Sequence, residues 1–247
     1  MLAELLLVAV FVYLLAGVVK GTLGLGLPTT AVSLMAMLVD ARTAVAVVII
    51  PMVVLNAWQI YRQAMLIHTW KYYWPYALSL SVVILLTGLF AVNVSVRGVT
   101  FVLGVVVAGY AVMSLWKRVP ALPERWDLMA QIVAGFFSGV IGGIAGLWSP
   151  PMLMYLSAKR LPREEFVGVT GMFLFAGSIF LLIGYLYNGL LNTEIAKLSL
   201  LLLPVSLIGF TVGERLRRRI NAKQFERYVL IFFLFAGFNL LYRAWRM

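Results

Sequence analysis

The stretch 17-GVVKGTLGLGLPTT-30 places a cation, Lys20, among glycines and a proline directly after a long apolar segment. Glycine and proline are the poorest helix formers, so a helix entering this stretch is predicted to break there. A helix that restarts inside a membrane exposes its first unpaired N–H groups and the positive end of its dipole. Because glycines let an anion approach such groups closely, the stretch predicts an anion site built largely from backbone.

A second, weaker copy of this stretch follows 122 residues later. Shifting the chain by 122 positions aligns 17-GVVKGTLGLGLP-28 with 139-GVIGGIAGLWSP-150, with identical residues at six positions. Each half then continues with a short apolar run, a polar corner and three long apolar runs. The shared order predicts an internal duplication, with a first repeat at 1–118 and a second at 119–247 that together form one transmembrane domain.

Each copy carries residues that suit the beginning of a helix. Pro28 and Pro150 fit the first helical position, where no N–H group is needed. Ser149, directly before Pro150, is a candidate N-cap, whereas Thr29 and Thr30 supply the hydroxyls of the first copy. If the two halves are inverted, both helix starts are expected to face one cavity near the middle of the membrane.

Other polar residues of the apolar segments join the candidates. Asn56 and Ser178 correspond under the shift, and each either faces the cavity or makes an interhelical hydrogen bond. Trp148 either lines the second break or packs there. The candidate substrate-binding residues are Lys20, Gly21, Gly24, Gly26, Pro28, Thr29, Thr30, Asn56, Gly143, Gly146, Trp148, Ser149, Pro150 and Ser178.

Two of these features have alternative interpretations. Pairs such as Gly17/Gly21 and Gly139/Gly143 are also typical of membrane helices that pack closely without a ligand. Lys20 either neutralises an anionic substrate inside the membrane or extends its ammonium to the interface from the end of a long helix. No acidic residue lies near the middle of a segment, so the sequence gives Lys20 no obvious counter-ion.

The composition indicates an all-α polytopic membrane protein. Of 247 residues, 63% are hydrophobic and 12% are charged, and the mean hydropathy is +1.00. The chain has no cysteine and one histidine, which argues against thiolate metal sites and a Ser-His triad, so neither a cofactor nor an enzyme activity is predicted. The net charge of +11 comes from short loops between apolar runs, a membrane-protein pattern and not a nucleic-acid-binding one.

Ten apolar runs separated by charged or turn residues are predicted to be helices. A hydrocarbon core about 30 Å thick takes about 20 helical residues, and eight runs are long enough or nearly so. The other two, 28–39 and 150–158, are too short to cross, and each opens with proline. The runs are 2–20, 28–39, 43–61, 73–93, 98–116, 127–147, 150–158, 166–187, 195–213 and 227–242.

The distribution of lysine and arginine predicts the topology. Four corners, at 62–71, 117–125, 159–163 and 215–227, hold 14 of the 20 basic residues. Placing them in the cytoplasm, beside anionic headgroups, satisfies the positive-inside rule if each short run returns to the side where its pair began. Each half is then a re-entrant helix pair plus three transmembrane helices, the second half is inverted, and both termini are periplasmic.

The motifs 17-GVVKGTLGLGLP-28, NAW at 56–58 and 139-GVIGGIAGLWSPP-151 resemble those of the TauE/SafE family of sulfite and organosulfonate exporters, and the resemblance covers essentially the whole chain. It implies a transporter of small sulfur-containing anions in the bacterial inner membrane. Sulfite and sulfonate oxygens suit the donors of a helix start. The chain departs from the glycine-richest members at Lys20, which aligns with Gly142 of the second copy.

Two other functions stay open at this stage: an anion channel of the same fold, and a carrier of a non-sulfur organic anion. A membrane enzyme is disfavoured because the sequence shows no nucleophile–base pair. Because no carboxylate lies mid-segment, a carboxylate proton relay is not predicted. An inside-negative potential drives each negative charge outward by about 2.3 kcal/mol per 100 mV, which favours facilitated export. The sequence leaves the oligomeric state open.

Overall fold

A computed structural model describes residues 2–63, 66–116, 120–217, 219 and 222–247. The predicted cytoplasmic corners at 62–71, 117–125 and 215–227 therefore lie partly outside the described residues. Every regular element in the described part is helical. The helices are α1 (Leu2–Leu23), α2 (Leu27–Met35), α3 (Ala41–Gln63), α4 (Leu66–Leu89), α5 (Val96–Trp116), α6 (Asp127–Ala145), α7 (Ser149–Lys159), α8 (Arg163–Tyr187), α9 (Thr193–Leu216) and α10 (Ala222–Arg246).

Eight of these helices are long and apolar enough to cross a membrane. The other two, α2 and α7, have 9 and 11 residues. At 1.5 Å per residue they are about 14 and 17 Å long, well short of a hydrocarbon core of about 30 Å. The all-α polytopic prediction is thus confirmed, and each predicted apolar run coincides with one helix. The inverted arrangement of the repeats stays a prediction.

The breaks before α2 and α7 are made by glycines with positive φ. Gly24 and Gly26 have φ of 82° and 99°, and Gly146 has φ of 69°. Side chains with a Cβ are strained in this left-handed region, so glycine is the suitable residue there. The amides of Gly24 and Gly146, which correspond under the shift, close the preceding helices by donating to Lys20 O and Gly142 O. The predicted helix breaks are therefore confirmed.

The helices that precede the two breaks, α1 and α6, are each about as long as the hydrocarbon core of a membrane is thick. α1 has 22 residues and α6 has 19, which correspond to about 33 and 28 Å. A break at mid-membrane depth therefore requires that the preceding helix is tilted or that it begins outside the hydrocarbon core. The midplane position of the two breaks stays a prediction.

The helices form two compact units. Unit 1 comprises Met1–Pro51, Ser95–Trp116 and Leu190–Met247, and unit 2 comprises Met52–Val94 and Lys117–Gly189. Each unit thus takes helices from both halves of the sequence. The division between repeats at 118/119 lies outside the described residues and stays a prediction.

Unit 1 packs α1 directly against α9. A Cβ on Gly17 would lie 2.9 Å from the Phe210 nitrogen, and one on Gly21 would lie 3.0 Å from the Gly213 Cα. Thr22 Oγ1 also donates across this crossing, to Gly213 O at 3.3 Å. Such contact of two backbones confirms the close-packing interpretation for Gly17 and Gly21.

Unit 2 repeats this crossing between α6 and α4. A Cβ on Gly139 would lie 2.6 Å from the Val83 Cβ, and one on Gly143 would lie 2.8 Å from the Gly88 nitrogen. Thr87 Oγ1 donates across the crossing to Gly139 O at 3.1 Å. In each unit, therefore, the first helix of one half packs on the fourth helix of the other half through the same pair of aligned glycines.

Candidate functional site

The start of α2 lies in the interior of unit 1. Leu27, Pro28, Thr29 and Thr30 are all buried, and α2 packs against α1, α10 and α5. The amide of Thr30 donates to Gly26 O at 2.9 Å and begins the helix. Because Pro28 has no N–H group, Leu27 and Thr29 carry the first-turn donors that lack an intrahelical acceptor. With the N–H of the N-cap residue Gly26, this start offers three backbone donors.

Buried hydroxyls accompany this helix start. Thr30 Oγ1, Ser33 Oγ and the Tyr13 hydroxyl are buried and have no hydrogen-bond partner among the described residues. Thr30 and Ser33 are three residues apart and so share one face of α2. A buried polar group without a partner costs about 1–3 kcal/mol, so a ligand that supplied acceptors here would be stabilised.

Lys20 occupies the last turn of α1, immediately before the break. Its side chain is 1% exposed, so its ammonium does not reach the surface of the protein. The interpretation of Lys20 as an interfacial anchor is therefore not supported. Lys20 does have an interaction partner within the protein, so the lack of an acidic neighbour in the sequence does not leave it isolated. A cation in this position is also favoured by the negative end of the α1 dipole.

The start of α7 differs from the predicted capping arrangement. Ser149 is the first residue of α7, and Trp148 occupies the N-cap position without a side-chain cap hydrogen bond. The prediction that Ser149 caps the helix is therefore wrong. The physical reason is that Pro151 would occupy the second helical position after a Ser149 cap, so one of the two backbone N–H groups from which such a cap accepts is missing. The Ser149 hydroxyl is buried and has no partner among the described residues.

Trp148 fills a slot between α6 and α8. A Cβ on Gly142 would lie 3.1 Å from Trp148 Cε3, and one on Gly177 would lie 2.8 Å from Cε2. The indole is 1% exposed, and its Nε1–H has no acceptor among the described residues. Sequence reasoning missed Gly177, because its closeness to Trp148 arises only when α7 packs on α8.

Asn56 and Ser178 both have structural hydrogen bonds. Asn56 Nδ2 donates to Leu174 O in α8 at 3.0 Å, which is the interhelical bond considered from the sequence. Ser178 Oγ donates within its own helix to Phe175 O at 2.8 Å. Gly21 and Gly143 lie in the helix crossings described above. Packing and hydrogen bonding within the protein thus account for these four candidates without a ligand.

Asp127, the first residue of the predicted run 127–147, is the centre of a hydrogen-bond network in unit 2. Its Oδ1 accepts from Tyr155 at 3.0 Å and lies 3.1 Å from Lys159 Nζ. Its Oδ2 accepts from Tyr72 at 2.8 Å and from Gln131 at 3.0 Å. The sequence did contain a signal for this network, because Asp127 begins and Lys159 directly follows the predicted re-entrant helix pair, which places opposite charges at its two ends.

The electrostatics of Lys159 follow from this network. Burial lowers the pKa of Lys159. The hydrogen bonds to Tyr72 and Asp127 and the attraction of the Asp127 charge raise this pKa by more than burial lowers it, so the net shift is upward. The ammonium also lies 5.1 Å from the centre of the Tyr72 ring. Lys159 is therefore a fixed cation at the end of α7.

The candidates divide between the two units, so each break has its own set. In the described part of the chain, no group of three or more metal-ligating side chains comes together. Unit 1 contains Lys20, Gly21, Gly24, Gly26, Pro28, Thr29 and Thr30, and unit 2 contains Asn56, Gly143, Gly146, Trp148, Ser149, Pro150 and Ser178.

Comparison with known proteins assigns the chain to a family. Neither the curated proteins nor the solved structures gave a match. The family model "Sulfite exporter TauE/SafE" matches residues 9–240, which is nearly the whole chain and includes both breaks. With its eight apolar helices long enough to cross a membrane, the protein therefore belongs to the TauE/SafE family of membrane transporters.

Proposed function

We propose that the protein exports small sulfur-containing oxyanions, such as sulfite or an organosulfonate, and that the starts of α2 and α7 supply the binding groups. Membership of a sulfite exporter family supports the substrate class. The proposal concerns transport and no catalysis. The residues at the breaks bind the substrate, whereas the glycines of the helix crossings serve helix packing.

The observation that carries the proposal is a pair of donors at the start of α7, Trp148 and Ser149, that have no partner in the described part of the chain. The indole N–H of Trp148 only donates hydrogen bonds, so it requires an acceptor. The Ser149 hydroxyl lies beside it in the chain, and the positive end of the α7 dipole favours a negative charge there. A sulfite or sulfonate oxygen can accept hydrogen bonds from both donors, and it carries the negative charge that the helix dipole favours.

The start of α2 provides the same kind of chemistry in unit 1. Two buried hydroxyls, those of Thr30 and Ser33, have no partner among the described residues. The buried ammonium of Lys20 lies on the other side of the break in the sequence. Backbone donors, hydroxyls and a cation together suit an oxyanion, because hydrogen bonds to a charged group are stronger than those between neutral groups.

The membrane placement is also part of the proposal. The basic corners support insertion in the bacterial cytoplasmic membrane, with those corners beside anionic headgroups in the cytoplasm and both termini in the periplasm. In this orientation, the membrane potential drives an anion outward. Flux that saturates with substrate would support a carrier, whereas an ohmic single-channel current would support an anion channel.

Replacing Trp148 with phenylalanine tests the carrying observation directly. Phenylalanine retains an aromatic ring in the slot and removes the Nε1–H donor. Since hydrogen bonds to charged groups contribute about 1.5–3 kcal/mol, we expect the affinity for a bound oxyanion to fall on the order of tenfold. Binding is measured on the purified protein with sulfite, thiosulfate, sulfoacetate, taurine and acetate by calorimetry and thermal shift.

The matched control is Trp126→Phe, because the Trp126 ring is half exposed and lies near Arg125. This variant is expected to bind oxyanions as the wild type does. If no sulfur oxyanion binds the wild type, or if Trp148→Phe binds as tightly as Trp126→Phe, the proposed site at the start of α7 is wrong.

A further inference from the structure

We infer that Asp127 is a positioning residue, whose carboxylate fixes α7 and thereby holds the Trp148 and Ser149 donors in place. The inference rests on the proposed function, because it assigns a role toward the anion site at the start of α7. Asp127 itself lies at the opposite end of that short helix. It acts on the site through α7 and does not contact the substrate.

The network around Asp127 connects three helices through one carboxylate. Tyr155 and Lys159 reach it from α7, Tyr72 reaches it from α4, and Gln131 lies one turn away on α6. Each of its two oxygens meets two donors, so all of the roughly four acceptor sites of the carboxylate are occupied. Asp127 is 6% exposed, so water competes little for these bonds. The carboxylate is therefore a rigid junction of α4, α6 and α7.

The two donors from α7 are placed so that they fix the orientation of the helix. Tyr155 and Lys159 are four residues apart and share one face of α7. Two bonds to one carboxylate from successive turns restrict rotation of the helix about its axis. A third bond ties the same end, because Leu122 N donates to Ala158 O at 3.0 Å.

Among the residues that the structure describes, the start of α7 has no comparable bonds of its own. Pro150 and Pro151 carry no N–H group, and the Trp148 N-cap makes no side-chain cap bond. Packing of the indole against Gly142 and Gly177 locates this end, while the Asp127 network sets the rotation of the helix. A substitution of Asp127 should therefore change the positions of the Trp148 and Ser149 donors, which lie about 16 Å away at the other end of this 11-residue helix.

The short helix of unit 1 is anchored at the same end by other residues. The positions that match Asp127 and Lys159 under the shift of 122 are Leu5 and Met37, which cannot form an ion pair. Instead, Arg243 of α10 donates to Ala36 O, directly after the last residue of α2. In both units, a charged side chain anchors the C-terminal end of the short helix, which leaves the N-terminal end available for a ligand.

Kinetics of oxyanion efflux from proteoliposomes test the role of Asp127. In Asp127→Asn, the charge that holds Lys159 is lost and an amide nitrogen, which donates, replaces one oxygen, so the side chain no longer accepts from the donors of α4, α6 and α7 at the same time. We expect KM for the transported oxyanion to rise about tenfold while the maximal rate per folded protein changes less than twofold. General destabilisation would instead lower the active fraction and leave KM unchanged.

Two further variants make the test decisive. Tyr155→Phe removes one hydrogen bond to α7 and should raise KM about threefold, so it replaces Asp127→Asn if that variant does not fold. Glu194→Gln is the matched control, because the Glu194–Lys197 pair is largely exposed and its loss should leave KM unchanged. If the wild type shows saturable efflux and neither variant raises KM above the control, Asp127 is not a positioning residue. If the wild type moves no sulfur oxyanion, the proposed function itself fails.

Discussion

Replacing Gly21 with alanine is expected to destabilise the protein by about 3 kcal/mol, the upper end of the usual cost of overpacking, because the added methyl group has no space. A Cβ at this position overlaps the carbonyl oxygen of Phe210 and lies 2.9 Å from the Glu214 nitrogen. Both atoms belong to the backbone of α9, so no side-chain rotation relieves the clash. The free energy of unfolding of the purified protein, measured by denaturant titration in detergent, gives the size of the loss.

Gly109→Ala is the matched control for this prediction. Gly109 also lies in an apolar helix, α5, but a Cβ there meets no atom within 4 Å. Alanine is the better helix former, so this variant should lose no stability. Equal stabilities of Gly21→Ala and Gly109→Ala would show that α1 and α9 are not in backbone contact.

Replacing Lys20 with glutamine is expected to weaken oxyanion binding roughly 10- to 100-fold, since a hydrogen bond to a charged group contributes about 1.5–3 kcal/mol. The Lys20 side chain is buried beside the break before α2, where a charge is poorly screened. Lys20→Arg retains the charge and should lose less affinity. Calorimetric titration with sulfite and sulfoacetate measures the effect, and efflux from proteoliposomes shows whether KM follows it.

Lys197→Gln is the control for the removal of a positive charge. Lys197 is 67% exposed and pairs with Glu194 at 3.0 Å, so its loss should not change anion affinity. If Lys20→Gln binds oxyanions as tightly as the wild type, the helix starts alone carry recognition and the charge of Lys20 serves the fold.

The helices and their breaks were predictable because a membrane leaves the chain few alternatives. Each backbone polar group must be paired within the hydrocarbon, so apolar runs become helices and their ends show in the sequence. Gly24, Gly26 and Gly146 marked the breaks correctly, since a positive φ selects glycine. The position of Pro28 then placed the start of α2 to within one residue.

The partners of these residues were not predictable. The spacing of Gly17 and Gly21 indicated close packing, but nothing local identifies α9, almost 190 residues away, as the partner helix. The same limit applies to Asp127, whose donors come from Tyr72, Tyr155 and Lys159. The capping prediction for Ser149 failed for a local reason, because Pro151 lacks the backbone N–H group from which a cap at Ser149 would accept.

The slot that holds Trp148 has a consequence for any exchange of residues between the two copies. Position 142 is glycine where the first copy has Lys20, and position 148 is tryptophan where the first copy has Gly26. In the second copy the small residue makes room for the large one, because a Cβ on Gly142 would lie 3.1 Å from the indole. Replacing Gly142 with lysine, the residue of the first copy, would insert a long side chain against Trp148, and replacing Trp148 with glycine would empty the slot. Each single exchange toward the first copy is therefore expected to disturb the packing, and positions 142 and 148 are expected to show strong epistasis.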